Sequence, residues 1–215
     1  MNHRLLFSIL FSFTLVNAFA QYDPKAKVTL DEMSKRYSSM SGFKATFSYT
    51  MTNPTANIKE SNTGEITVKG SKYYLKMSAQ EIWFNGTTVW TYIKSSNEVN
   101  ISDYDPSEDE ITPTKIYNMY KTGYKYMLVE EKTDPNKGVY QVIDLIPENR
   151  NQQFHKVRLE VFKSNYSLRS WKIFEKNGTI YEYAVKTYTP NIQVADASFT
   201  FDAAKYPGVE SVDLR

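Results

Sequence analysis

The chain has 215 residues, with 26 Lys and Arg against 24 Asp and Glu and a formal charge of +2 at neutral pH. So even a balance gives no long-range field of the kind that draws a protein onto nucleic acid or an anionic bilayer. The sequence has no Cys, which excludes disulfides, thiolate catalysis and Cys-based metal sites together.

Arg4 opens a short positive start, and Leu5 to Val16 is an apolar run interrupted only by Ser8, Ser12 and Thr14. Ala18-Phe19-Ala20 then offers small residues at the two positions that a signal peptidase reads. This predicts a cleaved signal peptide over 1–20, too short for a stable membrane span, and one domain over 21–215. The plain alternative is a buried N-terminal helix, against which the A-x-A ending argues. Lipid attachment in bacteria needs a Cys after the cut, and Gln21 stands there instead. The expectation is an unanchored protein, and the lack of disulfides fits a bacterial periplasm. Cleavage removes Arg4 and leaves a charge of +1.

Asp23-Pro24 reads as an N-cap with Pro at the first helical position. Leu30, Met33, Tyr37 and Met40 then form one apolar stripe on a helix ending near Ser41-Gly42. Strand alternation follows through Phe43, Ala45, Phe47, Tyr49 and Met51, then over Glu65 to Lys69 and Lys72 to Ser78. Asn85-Gly86 predicts a two-residue hairpin turn with Ile82 opposite Val89. Phe84, Thr91 and Ile93 share their face, while Trp83, Trp90 and Tyr92 make the opposite face apolar too. A short strand near Glu98 to Ser102 follows, then an acidic stretch from Asp103 to Glu110. Thr112-Pro113-Thr114 reads as a helix start leading to Ile116, Met119 and Tyr120, ended by Gly123. Strands are predicted at 124–132, 138–146, 154–163, 167–176 and 179–189, with a tight turn at Asn177-Gly178. A last strand is read at Ser198 to Phe201. About ten to twelve strands, with helices at the start and middle, predict an antiparallel sheet or open barrel with helices lying on it.

Catalytic signatures are missing. His155 is the one His after residue 20 and sits within a strand pattern, with no nucleophile elbow anywhere. No H-E-x-x-H, Walker A or G-x-G-x-x-G motif occurs. Asp103, Asp105, Glu108, Asp109 and Glu110 lack calcium-loop spacing and read as a solvated acidic loop. The 24 Asp and Glu allow many carboxylate pairs, and nothing selects one. The apolar sheet face can be a filled core or the wall of a cavity, and composition leaves both open. Met33, Met40 and Met119 suit adaptable packing and equally suit ordinary core filling.

Several stretches resemble the outer-membrane lipoprotein carrier family LolA, in a form associated with Bacteroidetes-type bacteria. They are S41-G-F-K-A-T-F-S-Y after the first helix, G64-E-I-T-V-K, F84-N-G-T-T-V-W-T-Y, T112-P-T, and the ending F199-T-F-D with Y206-P-G-V-E-S-V-D-L-R. They recur in family order from about residue 25 to 215. The resemblance implies an α+β, mainly β fold: an open antiparallel half-barrel with a helical lid over an apolar cavity. It implies a periplasmic chaperone without enzymatic activity or cofactor. Such a chaperone takes acylated lipoproteins from an inner-membrane ABC-type exporter and passes them to the outer membrane, where an acceptor is left open. No metal and no nucleic acid are implied, and a monomer is expected. On this reading Phe43, Phe47, Tyr49, Tyr73, Leu75, Met77, Ile82, Phe84 and Val89 form the cavity wall. Leu30, Met33, Ile116, Met119 and Tyr120 form the lid. Many family members follow the V-K pair with an Arg that latches the lid to backbone carbonyls. Here Gly70 stands in its place, with Lys69 or Lys72 as substitutes. Two other readings stay open. One is a soluble binder of another lipid, or an envelope-stress sensor, on the same fold; the other is a secreted hydrolase with an unrecognised carboxylate site.

Overall fold

The computed structural model describes residues 22–105 and 111–215. The expected signal peptide and the acidic residues Glu108, Asp109 and Glu110 lie outside the described residues. Helix α1 spans Pro24–Ser38, and its first turn is closed by Asp23, whose carboxylate accepts from the backbone of Lys25 and Ala26. The same carboxylate accepts from Leu128 N at 3.1 Å, and Asp23 N donates to Tyr126 O at 3.2 Å. One residue therefore both starts the helix and pins it to the sheet. The helix stops three residues earlier than the pattern suggests, and Gly42 is outside it. A Cβ at Gly42 would stand 2.9 Å from Val68 O, so this glycine serves a close crossing of two backbones and not a helix end.

The strands are β1 (Phe43–Asn53), β2 (Ile58–Lys69), β3 (Lys72–Met77), β4 (Gln80–Phe84), β5 (Thr88–Ile93), β6 (Glu98–Asp103), β7 (Tyr124–Asp134), β8 (Gly138–Pro147), β9 (Phe154–Phe162), β10 (Leu168–Glu175), β11 (Ile180–Pro190) and β12 (Glu210–Asp213). They form one 12-stranded sheet in the order β12-β6-β5-β4-β3-β2-β1-β11-β10-β9-β8-β7. The end strands β12 and β7 do not pair, so the sheet stays open. Every pairing is antiparallel except that of β12, which runs parallel to β6.

Four sequence expectations are corrected. The hairpin at Asn85-Gly86 pairs Phe84 with Val89 and Ile82 with Thr91, two residues away from the expected register. The cause is the Asn85 side chain, whose Oδ1 accepts from the N–H groups of Thr87 and Thr88 at 3.0 and 2.9 Å. Asn85 thus sits before the turn and Gly86, at φ 107°, enters it. A shift of two preserves every face. The segment after Thr112 is a run of turns ending in a 3-10 turn at Met119–Lys121, not an α-helix. Pro113 and only nine further residues before Gly123 give too short a run to propagate a helix. Ser198 to Phe201 is not a strand: Asp196–Phe199 is a 3-10 turn, and the last strand is β12. Finally, β2 begins at Ile58, seven residues before the apolar alternation. Its first half is polar and exposed, held by pairing with the long β1.

The second apolar face of β4 and β5 is covered by the segment after residue 195. Trp83 has ring centroids of Tyr74, Phe201 and Tyr206 at 5.0, 5.2 and 5.9 Å, and Tyr92 lies 4.6 Å from Tyr206. Within this outer layer Glu81 accepts from Tyr206 OH at 3.1 Å and pairs with Lys94 at 3.3 Å. Burial opposes the Glu81 charge, but bonds from Tyr74, Tyr206 and Lys94 outweigh it and hold the carboxyl below its usual range. Asp196 joins Lys69 at 2.7 Å and Lys72 at 2.9 Å, fastening this segment to β2 and β3. The two lysines hold its carboxyl down to about 2.

Candidate functional site

The inner face, which carries α1, is built rung by rung from strand register. Phe43, Val68, Tyr73, Phe84 and Val89 align across β1 to β5. The next rung joins Ala45, Ile66, Leu75 and Ile82, and the next joins Phe47, Gly64 and Met77. Beyond it Tyr49 meets Tyr183 at 5.2 Å, and Tyr183 stacks on Trp171 at 4.7 Å with the rings 8° from parallel. All nine residues expected in the wall therefore share one face. Phe47 lies flat over Gly64, where any Cβ would come within 2.5 Å of its ring. The glycine makes room for the aromatic ring.

Burial divides this face into two parts. Phe43, Phe47, Tyr73 and Phe84 are buried, whereas Tyr49, Leu75, Met77, Ile82 and Val89 are partly open. Under the lid, a cavity of about 40 Å³ is bounded by Tyr37, Phe43, Phe47, Ile116, Tyr117 and Trp171 among others. Sites that enclose a drug-sized ligand measure about 300–1,000 Å³. The inner face is thus a packed core beside a strip of partly open apolar side chains, and the cavity as it stands is too small for a long chain.

Of the expected lid residues, Leu30 and Met33 have no exposed surface and join one apolar cluster with Ile143, Leu145 and Leu159. Ile116 and Tyr120 are buried in the same cluster and Met119 packs against it. The two lid pieces are tied to each other: Tyr120 OH donates to Asp31 at 2.7 Å, Ser34 OH to Asn118 at 2.6 Å, and Tyr117 stacks on Tyr37 at 4.9 Å. They are tied to the sheet where Leu168 N donates to Tyr37 OH at 3.1 Å and Thr29 bonds to Gln141. Lys69 and Lys72 bond to the segment after β11 and not to the lid pieces: Lys69 donates to Val194 O at 3.0 Å, and both lysines pair with Asp196. Gly70 forms the turn between β2 and β3 at φ +59°, which favours glycine over any latching side chain. Tyr37 was visible in the helical stripe, but its hydroxyl contact with β10 was not.

Burial drives Tyr37 and Tyr120 above the usual phenol range, Tyr120 also through its bond to Asp31, and raises Tyr117 to about 12. A raised folded pKa means that the unfolded chain ionises first. The stability tied to Tyr117 is whole below pH 10 and is lost as pH climbs from 10 to about 12. Absorbance at 295 nm should therefore show a late group of tyrosines ionising together with the loss of near-ultraviolet dichroism. Complete ionisation near pH 10 in a folded protein would contradict this burial.

Among the described residues the molecule is one open, mainly β sheet of twelve strands, with a single α-helix packed on its apolar inner face. The model of the family described as outer membrane lipoprotein carrier protein LolA matches residues 16–180, and the chain belongs to that family. The family is described as one of carriers of outer-membrane lipoproteins, a binding role. An uncharacterized conserved protein from Thermus thermophilus has 12% identity and a TM-score of 0.59, with 88% of this chain and 99% of that one covered. A LolA superfamily protein from Nitrosomonas europaea has 13% identity and a TM-score of 0.45, covering 82% and 97%. MucB in its complex with MucA from Pseudomonas aeruginosa has 14% identity and a TM-score of 0.45, covering 83% and 62%. At such identities the likeness concerns the fold. No curated protein matches the chain. Among the described residues no helix is long and apolar enough to cross a membrane, and no group of His, Cys, Asp or Glu could hold a metal ion.

Proposed function

We propose that residues 21–215 form one periplasmic carrier domain, released from a signal peptide over 1–20, that shelters lipoprotein acyl chains between the inner face and the lid. Phe43, Phe47, Tyr49, Tyr73, Leu75, Met77, Ile82, Phe84 and Val89 are the wall, and Leu30, Met33, Ile116, Met119 and Tyr120 are the lid. The observation that carries this reading is the continuity of the buried rungs with the partly open apolar strip beside them. At ~0.8 kcal/mol per buried CH₂, two or three long chains left in water cost tens of kcal/mol. A carrier must meet that cost and still let go. A lid held by a few hydrogen bonds over a nearly filled cavity fits both needs, because its own side chains reclaim the wall when the cargo leaves. Cargo would come from an ATP-driven inner-membrane exporter and end in the outer membrane. Incubated with energised inner-membrane vesicles bearing labelled lipoprotein, the protein should draw label into the soluble fraction in a one-to-one complex. Label that stays on the vesicles at every protein concentration counts against carriage.

A further inference from the structure

We infer that a basic cleft at the rim of the apolar cavity receives the phosphate head of a single-chain anionic glycerophospholipid whose chain enters beneath the lid. The cleft measures about 240 Å³, and Arg36, Lys137, Arg169 and Lys186 line it with no acidic residue. It shares Leu168, Val185 and Tyr188 with the apolar cavity, so the two spaces meet at those three side chains. The sheet itself opens the cleft. β10 pairs with β11 only from Ser170 to Phe174, and beyond that point β11 is held by β1 alone.

Two β-bulges supply cations to this gap. The register of β1 with β11 passes from Thr187 to Val185 and leaves Lys186 unpaired; that of β10 with β9 passes from Leu168 to Ser170 and leaves Arg169 unpaired. Bulges of this kind re-aim a side chain next to functional sites. Arg169 is already neutralised by Glu160 and by Asp134 at 3.5 Å. Arg36, Lys137 and Lys186 have no ion pair among the described residues, and Arg36 Nε is buried without a hydrogen-bond partner. The Arg36 guanidinium lies over the Tyr188 ring, 5.8 Å from its centroid, which places it where the two spaces meet, and its planar fork matches the oxygens of a phosphate. An anionic head beside an apolar recess describes an amphiphile. The inference shares the cavity of the carrier reading but does not need lipoprotein as the cargo.

The test is calorimetric titration at low salt, below micelle formation, with monopalmitoyl phosphatidylglycerol, monopalmitoylglycerol and glycerol 3-phosphate. The anionic lipid should bind at least about tenfold more tightly than the neutral one, since charge-assisted bonds to phosphate are the stronger kind. Lys186→Gln and Arg36→Gln should narrow that gap while leaving the neutral lipid unchanged, and Lys186 is exposed enough for its variant to fold. Equal affinity of the wild type for both lipids overturns the inference, as does a variant that loses both lipids alike. Glycerol 3-phosphate binding as tightly as the lipid overturns it too, because the cleft would then be a free-phosphate site. Lipoprotein release is scored separately, so failure of either reading leaves the other standing.

Discussion

Leu75→Glu should leave the protein folded and reduce lipoprotein uptake by at least about a hundredfold. Leu75 stands in the rung between Ile66 and Ile82, partly open along the apolar strip. In the free protein a carboxylate there can reach water, so the fold bears little cost. Once an acyl chain covers the strip that water is gone, and an unpaired charge loses several kcal/mol of hydration. Every 1.4 kcal/mol is tenfold in affinity, so about 3 kcal/mol already gives the expected loss. Lys76→Gln, next in the chain but on the opposite, exposed side, is the control and should carry lipoprotein normally. Phe47→Glu tests the same wall less cleanly, because the ring is buried against Gly64 and a charge there threatens the fold itself. If Leu75→Glu accepts lipoprotein as the wild type does, these rungs do not hold the cargo.

Phe199→Ala should be the most destabilising truncation outside the inner face. Phe199 has no exposed surface, although it lies in a 3-10 turn late in the chain. Removing a buried Phe costs about 3–5 kcal/mol, since the cavity left behind collapses only in part. For a chain of this size that corresponds to a fall in Tm of roughly 6–20 °C. The loss should also release Phe201 and Tyr206 from Trp83, visible as a shift in tryptophan emission. Acyl binding well below the transition should persist, because the outer layer and the strip are on opposite faces of the sheet. A melting temperature within two or three degrees of wild type would mean that the segment does not act as the outer face's cover.

The one-sided alternation of β1 and β3 was legible residue by residue, and β7 to β11 were legible as ranges; the alternation rule fails in β8, where Tyr140 to Leu145 are buried on both faces. The polar half of β2 was not, because both its faces meet water and only its partner β1 holds it in the sheet. The outer layer was legible as a question, in Trp83, Trp90 and Tyr92, but not as an answer. Its cover comes from Phe201 and Tyr206, more than a hundred residues away in the chain. Thr112-Pro113 carries a true start signal, yet a start does not ensure a helix when the run behind it is short. The candidate wall came from periodicity, and its faces survived even where the Asn85 turn moved the register, since a shift of two changes no face. The basic cleft had no sequence signal at all. Arg36, Lys137 and Lys186 come from a helix, a turn and a bulge, and only the register between β1 and β11 brings Lys186 to that gap. A bulge reverses the parity of everything after it, which is also why Val185 and Tyr188 could not be assigned to the inner face by alternation.

On the proposed function, the inner face and lid enclose acyl chains attached to protein. Native mass spectrometry of the chain, purified without detergent from the envelope of cells that express it, tests this most directly. The spectrum should contain a second species heavier by one acylated lipoprotein, absent from Leu75→Glu and present in Lys76→Gln. A wild-type protein that emerges only empty, while its exporter and lipoproteins are present, would contradict it.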